Sequence, residues 1–322
     1  MQEIYFYDGI SKISVIIAIV ICMKDILKNC NLCPRNCFVD RSLTTGVCGM
    51  KDKLVIARAS LHMWEEPCIS GDTGSGTIFF TGCNLKCIFC QNHEISTTLI
   101  GKEVTTEEFA KICLNLQKQG ANNINLVTPT HFVPLIIEGI KLAKEKGLTL
   151  PIVYNTSSYE NVETIKMLDG IVDIYLPDLK YYDDTYAIKY SHAPNYFNIA
   201  TTAIKEMVKQ VGLPTFQENG IMKKGVIVRH LMMPGLKEDT KNILEYLYKN
   251  YHDDIYISIM NQYTPVKHFT KYQELNQKIL DDDYDEVINY ALDLGIKKAF
   301  IQEGNTASES LIPDFSNQKL PI

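Results

Sequence analysis

The sequence has no hydrophobic run long enough to cross a membrane. Its apolar segment Ile13 to Met23 spans eleven residues, whereas a spanning helix needs about 20. The N-terminus also lacks the basic residues and the small-residue cleavage site of a signal peptide. We therefore expect no membrane partner. A translation start at Met23 is favoured, with residues 1–22 either an extension or a packed peripheral element.

Basic residues are not in excess either. The 322 residues include 32 Lys and Arg against 38 Asp and Glu, which gives a formal net charge of −6. Nucleic-acid binding depends on an excess of Lys and Arg that neutralises phosphates. A nucleic-acid partner is therefore not expected.

Cysteine is too sparse for a secreted disulfide scaffold, with ten residues in the whole chain. All but Cys113 precede residue 91, and seven fall into two closely spaced groups. Clustered thiols of this kind indicate metal ligation in a reducing compartment. We therefore expect a cytoplasmic metalloprotein, with Cys113 as an ordinary core residue of a helix.

One cysteine group is a short loop with the spacing C-x3-C-x2-C, formed by Cys83, Cys87 and Cys90 directly after an apolar run. Three thiolates can hold three corners of a [4Fe–4S] cluster, which normally takes four cysteines, so one iron is left free to bind something else. A zinc site completed by His93 is the alternative. The loop favours the cluster, because no fourth cysteine follows closely.

The second group consists of Cys30, Cys33, Cys37 and Cys48, with the spacing C-x2-C-x3-C-x10-C. Four thiolates at this spacing could bind Zn²⁺ tetrahedrally or hold a second iron–sulfur cluster. The spacing does not decide between them. A structural zinc site is slightly favoured because nothing nearby suggests an open coordination position, whereas a second cluster would make sense as an electron relay to the first.

From residue 77 onward, short β-branched runs alternate with helical patterns, which predicts an α/β fold with a parallel sheet. We expect a partial TIM-like barrel of about six βα units over residues 71–307, preceded by a small cysteine-rich module at 23–70 and followed by an irregular tail at 308–322. The predicted strands are Thr77–Thr81, Ile124–Val127, Pro151–Tyr154, Ile171–Leu176, Val226–Leu231, Ile255–Ile259 and Lys298–Ile301. The predicted helices run from Thr105 to about Gln119, Pro134 to Lys146, Asn161 to Leu168, Tyr196 to Val211, Thr240 to Tyr251 and Asp285 to Leu294.

Polar side chains follow the carboxyl ends of these strands, where the functional residues of such folds collect. They are expected to form a polar barrel mouth that faces the cysteine loop. They include Thr128, Thr130, Asn155, Asp178, Lys180 and Arg229. His62, Trp64, Glu65 and Glu66 precede the barrel and could line the same mouth, although packing of the N-terminal module explains Trp64 equally well.

The cysteine loop with Phe89 before its last cysteine resembles the signature of the radical S-adenosylmethionine (radical SAM) enzymes. The segments Asp173 to Lys180, Trp64 to Gly71, Asn123 to His131 and Met260 to Tyr263 are most similar to the branch called pyruvate formate-lyase-activating-enzyme-like proteins. The resemblance implies that SAM binds the free iron of the cluster, with Phe89 near the adenine. It further implies reductive cleavage of SAM to methionine and a 5′-deoxyadenosyl radical, which abstracts hydrogen.

The resemblance also implies roles for individual residues and partners. Asp178, Lys180 and Arg229 match positions that help to bind SAM, a flavodoxin or ferredoxin would supply the electron, and a glycyl-radical enzyme is one expected target. The branch's Gly-Gly-Glu on the second strand is absent. Val127 to Thr130 occupies its place, so the hydroxyls of Thr128 or Thr130 and backbone carbonyls would receive the SAM ammonium. Tyr263, rather than His268, aligns with a late histidine of the family. The rival hypothesis is a non-catalytic iron–sulfur or zinc protein that transfers electrons or scaffolds a complex.

Overall fold

The computed structural model describes residues 25–302, 315 and 320–322. The predicted extension at 1–22 and the proposed start at Met23 lie outside these residues. The strands are β1 (Leu54–His62), β2 (Ser75–Phe80), β3 (Lys102–Val104), β4 (Ile124–Val127), β5 (Ile152–Thr156), β6 (Ile174–Pro177), β7 (Thr215–Phe216), β8 (Met222–Leu231), β9 (Tyr256–Met260) and β10 (Ala299–Ile301).

The helices lie between these strands. They are α1 (Pro67–Ser70), α2 (His93–Ser96), α3 (Thr106–Lys118), α4 (Val133–Glu145), α5 (Val162–Lys166), α6 (Asp184–Ser191), α7 (Tyr196–Val211), α8 (Lys237–Tyr251) and α9 (Asp281–Leu294). Short 3₁₀ turns occupy Thr130–Phe132, His252–Asp254 and Gln273–Asn276. None of the helices in the described part of the chain is long and apolar enough to cross a membrane.

One sheet organises the described residues, in the order β10-β9-β8-β6-β5-β4-β2-β1-β3, with β7 paired to β8. The seven strands from β2 to β10 along this order pair in parallel. Strands β1 and β3 extend the β2 edge in antiparallel fashion. The fold is a mixed α/β partial barrel, as predicted, and the carboxyl ends of its seven parallel strands meet at one rim.

All seven predicted strands are present, displaced by at most a few residues. The antiparallel strands were not predicted, and β1 changes the expected division of the chain. Its residues pair with β2 from Ile56↔Phe80 to His62↔Ser75, so the segment 54–62 belongs to the sheet rather than to a separate module ending at residue 70. Its burial alternates only partly along the strand, and β3 pairs only with its first three residues, Leu54 to Ile56.

Local capping signals placed the helices well. Thr105 accepts from the backbone N–H of Glu108 while the Glu108 side chain accepts from the Thr105 N–H, which completes the capping box at the start of α3. Helix α7 has the predicted ends. Helices α8 and α9 begin three and four residues earlier than predicted, because their first turns are acidic rather than apolar; acidic side chains stabilise a helix N-terminus.

The apolar faces of the helices and the sheet form one large buried core. A small separate cluster of Ala57, Phe79, Ile95, Val127 and Phe315 lies inside the barrel. The ring of Phe315 meets that of Phe79 edge-on at 5.5 Å. The tail residue therefore packs near the barrel interior, although the described tail positions carry no regular secondary structure.

Candidate functional site

The cysteine loop leaves β2 at the rim of the barrel, where it was predicted. Each of its three sulfurs accepts a hydrogen bond from a nearby donor. The backbone N–H of Leu85 donates to Cys83 Sγ at 3.4 Å, Ser191 Oγ donates to Cys87 Sγ at 3.0 Å, and Ser96 Oγ donates to Cys90 Sγ at 3.4 Å. Hydrogen bonds of this kind stabilise cluster thiolates and tune their reduction potentials.

Burial is the largest cause of the pKa shifts of Cys83 and Cys87. It raises the pKa of Cys83 to about 12 and that of Cys87 to about 11, with the ammonium of Lys180 acting against the rise at Cys87. Thiols this hard to ionise become thiolates only when a metal displaces the proton. Within the described residues, no three cysteine, histidine or carboxylate side chains gather closely enough to hold a single metal ion. A [4Fe–4S] cluster does not require its cysteine sulfurs to converge on one metal ion, because each cysteine binds a different iron.

A charged network faces the loop from the ends of two neighbouring strands. Asp178 follows β6, and Arg229 lies near the end of β8, where the two residues form a parallel bridge. Arg229 Nε donates to Asp178 Oδ1 at 3.0 Å, and Lys180 Nζ donates to Asp178 Oδ2 at 2.8 Å. One carboxylate thus aligns two cations at the rim.

The pKa shifts of this network come from its charges. Burial alone would raise the pKa of Asp178, but the charges of Arg229 and Lys180 reverse the effect and hold it below its usual value. Burial would lower the pKa of Lys180, but the Asp178 carboxylate outweighs it, and the pKa is raised. All three groups therefore stay ionised at neutral pH.

Glu65 reaches the same network from the opposite end of the barrel. It lies in the segment between β1 and β2, and its Oε2 accepts from Arg229 Nη1 at 3.2 Å. Its Oε1 accepts from Asn125 at 2.9 Å and more weakly from Asn155 at 3.4 Å, while Asn155 Oδ1 accepts from Arg229 Nη2 at 2.6 Å. The barrel interior therefore holds a buried carboxylate that extends the rim network inward.

These groups line one cavity of about 260 Å³. Cys87 and Cys90 lie at its wall together with Phe89, whose ring centroid is 6.1 Å from that of Tyr263. The other predicted residues on the wall are His62, Trp64, Glu65, Asn155, Asp178, Lys180 and Arg229. Cavity residues that the sequence did not single out as site residues are Phe79, Gln91, Asn92, Val127, Leu231, Met260, Gln262 and Thr264.

The structure does not bring Thr128 and Thr130 to this cavity wall. Thr128 has a left-handed backbone, with φ of 58°, and the 3₁₀ turn that follows carries the chain away from the rim. Thr130 is buried, and its hydroxyl donates to Glu160 Oε1 at 2.6 Å. His268 also lies off the wall, whereas Tyr263 is on it. The hydroxyls expected to receive the SAM ammonium are thus turned elsewhere, whereas Glu65, predicted to line the mouth, places its carboxylate on the wall.

Comparison with known proteins decides the family. The model of the radical SAM superfamily matches residues 77–247, more than half of the chain. The chain belongs to the radical SAM superfamily. The matched region begins within β2, and it contains the cysteine loop, Asp178, Lys180 and Arg229.

Individual relatives of this radical SAM protein agree with the assignment. It is 31% identical over 278 residues to an uncharacterized protein of Methanocaldococcus jannaschii, covering 83% of this chain and 75% of that protein. It is 27% identical over 207 residues to the pyruvate formate-lyase-activating enzyme of Clostridium pasteurianum, covering 62% of this chain and 79% of that enzyme.

Two solved structures align with this chain, and the first of them, with a TM-score of 0.50, supports the shared fold. A radical SAM methyltransferase from Sphaerobacter thermophilus superimposes with a TM-score of 0.50 at 14% identity, covering 71% of this chain and 66% of that chain. A domain of a pyruvate formate-lyase-activating enzyme from Bacteroides vulgatus gives a TM-score of 0.39 at 16% identity, covering 53% of this chain and 92% of that chain. Likeness at these identities speaks for the fold alone.

The residues present fit the cofactors that this superfamily implies. Three cysteine sulfurs, each with a hydrogen-bond donor, suit a [4Fe–4S] cluster with one open iron. The cavity beside them offers an ammonium, a guanidinium and carboxylates at one wall and aromatic rings at another, which suits an amino acid joined to an adenosine.

Proposed function

We propose that this radical SAM protein activates a partner enzyme by abstracting hydrogen from a backbone glycine, as the glycyl-radical enzyme activases do. The observation that supports it most is the charged cavity that Cys87 and Cys90 line, beside the family's cluster loop. When bound there, the cluster supplies the electron that cleaves SAM to methionine and a 5′-deoxyadenosyl radical. A reduced flavodoxin or ferredoxin in a reducing cytosol is the proposed source of that electron.

The chain's own residues have distinct tasks in this proposal. Lys180, already aligned by Asp178, pairs with the carboxylate of SAM. Glu65 and Asn155 hold Arg229 in place and provide oxygen acceptors for the SAM ammonium. Phe89 and Tyr263 flank the adenine, and the apolar rings of the wall exclude water from the reacting atoms.

The size of the cavity favours a macromolecular hydrogen donor. Sites that hold one drug-sized ligand usually measure about 300–1,000 Å³, and this cavity of about 260 Å³ is too small to hold a second small molecule beside SAM. Trp64 lies at its edge and is 65% exposed. We infer that the donor group enters at this edge as part of a larger chain, rather than as a second small molecule held inside.

The first experiment asks whether SAM is cleaved. The protein is reconstituted anaerobically with iron and sulfide, reduced with dithionite and given SAM, and 5′-deoxyadenosine is quantified by chromatography. The product should form with the native protein and not with the Cys83→Ala variant. If a fully loaded, reduced cluster yields no 5′-deoxyadenosine and SAM leaves its EPR signal unchanged, the proposal is wrong and the electron-carrier hypothesis is favoured.

The second experiment asks what loses the hydrogen. Glycyl-radical enzymes encoded near this protein's gene are incubated with the reduced protein and SAM, and the radical is sought by EPR. A doublet that collapses to a singlet when the partner contains α-dideuterated glycine supports the proposed activation. Deuterium transfer into 5′-deoxyadenosine from a peptide or small molecule, with no partner radical, would instead identify a different hydrogen donor.

A further inference from the structure

The N-terminal cysteine group lies together in the fold, although it spans nineteen positions from Cys30 to Cys48. Cys30, Cys33 and Cys48 are buried and Cys37 is half-exposed, and all nine described cysteines are free thiols. The sulfurs of Cys37 and Cys48 lie 3.4 and 3.6 Å from the point where a Cβ on Gly46 would stand. A Cβ at position 46 would therefore stand in van der Waals contact with both sulfurs, which places the two sulfurs beside this residue.

Backbone amides are arranged around these sulfurs. Val47 N–H donates to Cys37 Sγ at 3.4 Å. Burial raises the pKa of Cys33 to about 12, against which the backbone N–H of Arg35 acts as a donor; burial likewise raises the pKa of Cys48, opposed by Arg41 and the Met50 N–H. Three of the four sulfurs thus have a donor, the same pattern as in the cluster loop.

Buried polar atoms without partners collect on the barrel side of this group. They are Arg35 Nη2, Asn84 Oδ1, His131 Nδ1, Ser158 Oγ and Glu160 Oε2, five of the seven such atoms in the described part of the chain. A buried polar atom left unpaired costs about 1–3 kcal/mol. Those of the five that can donate, Arg35 Nη2 above all, would be satisfied by a group that accepts hydrogen bonds.

The two cysteine groups are direct neighbours. Arg35 Nε donates to the carbonyl of Asn84, the residue after Cys83, at 2.8 Å. Gly82, the residue before Cys83, packs so closely that a Cβ on it would stand 2.7 Å from the carbonyl oxygen of Cys48. Only glycine permits this approach, and its φ of 88° is one that glycine adopts freely.

We propose that Cys30, Cys33, Cys37 and Cys48 hold a second iron–sulfur cluster that delivers electrons to the cluster at Cys83, Cys87 and Cys90. A reduced flavodoxin or ferredoxin gives one electron to the second cluster through the half-exposed Cys37 side. The second cluster is then reoxidised as the SAM-binding cluster is reduced by that one electron, and no bond or proton changes place. The relay rests on the proposed function, since it serves SAM cleavage.

Two observations favour a cluster over zinc at this position. A zinc ion would draw its four sulfurs to about 2.3 Å from one centre, and the described cysteines show no such gathered set. The site also abuts the SAM-binding loop, where a redox-inactive ion would add nothing to electron delivery. Unpaired donors such as Arg35 Nη2 match the inorganic sulfides of a cluster, which accept hydrogen bonds.

The first test is metal analysis of the full-length protein, reconstituted anaerobically with iron, sulfide and equimolar zinc. We expect about eight iron and eight sulfide atoms per chain, the content of two [4Fe–4S] clusters. Cys30→Ala/Cys37→Ala and Cys83→Ala/Cys87→Ala should each retain about half of this, and Cys68→Ala, a buried cysteine outside both groups, should retain all of it. One zinc per chain with only one cluster overturns the proposal.

The second test measures electron delivery without relying on SAM cleavage. In Cys37→Ser, reduction of the remaining cluster by reduced flavodoxin is followed by freeze-quench EPR and compared with the native protein, with dithionite reduction as the reference. We expect the flavodoxin rate to fall severalfold relative to the dithionite rate. Equal ratios refute the relay; circular dichroism on the same samples shows whether the variant is folded, and Cys33→Ser repeats the test if it is not. Formation of 5′-deoxyadenosine by the native protein with dithionite reports separately on the proposed function.

Discussion

Replacement of Lys180 by Met tests whether the protein is a SAM enzyme or a simple electron carrier. The Lys180 side chain is 19% exposed and lies on the cavity wall beside Cys87, with Nζ 2.8 Å from Asp178 Oδ2. If its ammonium pairs with the carboxylate of SAM, the variant loses a hydrogen bond to a charged group. Such a bond contributes about 1.5–3 kcal/mol, which corresponds to a rise in the Kd for SAM of about 10- to 150-fold.

The Lys180→Met change should affect the stability of the fold less than it affects SAM affinity. Asp178 keeps its contacts with Arg229, at 3.0 Å from Nε and 2.9 Å from Nη2, so no buried carboxylate is left without a cation. The matched control is Lys237→Met, which removes a half-buried lysine that pairs with Asp283 and Glu286 on α9 and does not line the cavity. That control should leave the SAM affinity as it is.

Affinity is measured by titrating SAM into the anaerobic, reduced protein and following the change in the EPR signal of the cluster. Iron content and circular dichroism establish that each variant is loaded and folded. A Kd for Lys180→Met within about threefold of the native value, a difference of less than about 0.7 kcal/mol, would refute the assignment of Lys180 to the SAM carboxylate. If Lys237→Met also lost SAM binding, the effect of Lys180→Met would not be specific to the cavity, and the assignment of Lys180 would be refuted.

Three further outcomes are expected. Ser191→Ala removes the 3.0 Å bond to Cys87 Sγ, so the midpoint potential of the cluster, measured by EPR redox titration, should fall by about 40 mV, the equivalent of about 1 kcal/mol. Burial lowers the pKa of His230 to about 4, below the value of about 6.5 in an unfolded chain, so the unfolded state binds more protons and this group should contribute a loss of about 1 kcal/mol of stability between pH 7.5 and 5.5. Urea unfolding of His230→Asn should show a loss smaller by about that amount, and the loss that remains comes in part from His131, whose pKa burial also lowers. Arg41→Ala should lower the free energy of unfolding by about 3 kcal/mol, because the fully buried guanidinium donates to the carbonyls of Met50, Lys51 and His131; unfolding within about 0.5 kcal/mol of the native value would contradict it.

The elements that sequence alone predicted depend on local spacing. The alternation of β-branched runs and amphipathic segments places seven strands, and the capping box at Thr105 and Glu108 places the start of α3. The cysteine loop is equally local, because three thiols within eight residues lie near one another in any loop that follows β2. The family and its cofactors could therefore be inferred before any contact was known.

The electrostatic site required the tertiary structure. Asp178 and Arg229 are 51 residues apart in the sequence, with α6, α7 and β7 between them. They meet because β6 and β8 are neighbours in the sheet. Glu65 enters the network because β1 returns antiparallel to β2 and delivers the next segment into the barrel. Thr130 was predicted at the cavity from its strand-end position, yet a left-handed Thr128 and one 3₁₀ turn send its hydroxyl to Glu160.

The two cysteine groups also show which features the sequence predicts and which depend on the tertiary structure. Spacing marks each group as a set of metal ligands, since thiols a few residues apart share a loop whatever the rest of the chain does. Their contact through Arg35 and Asn84 joins residues 49 positions apart, and it depends on the absence of a side chain at Gly82. Distances along the chain carry no information about such contacts, because packing of the folded core decides which distant loops touch.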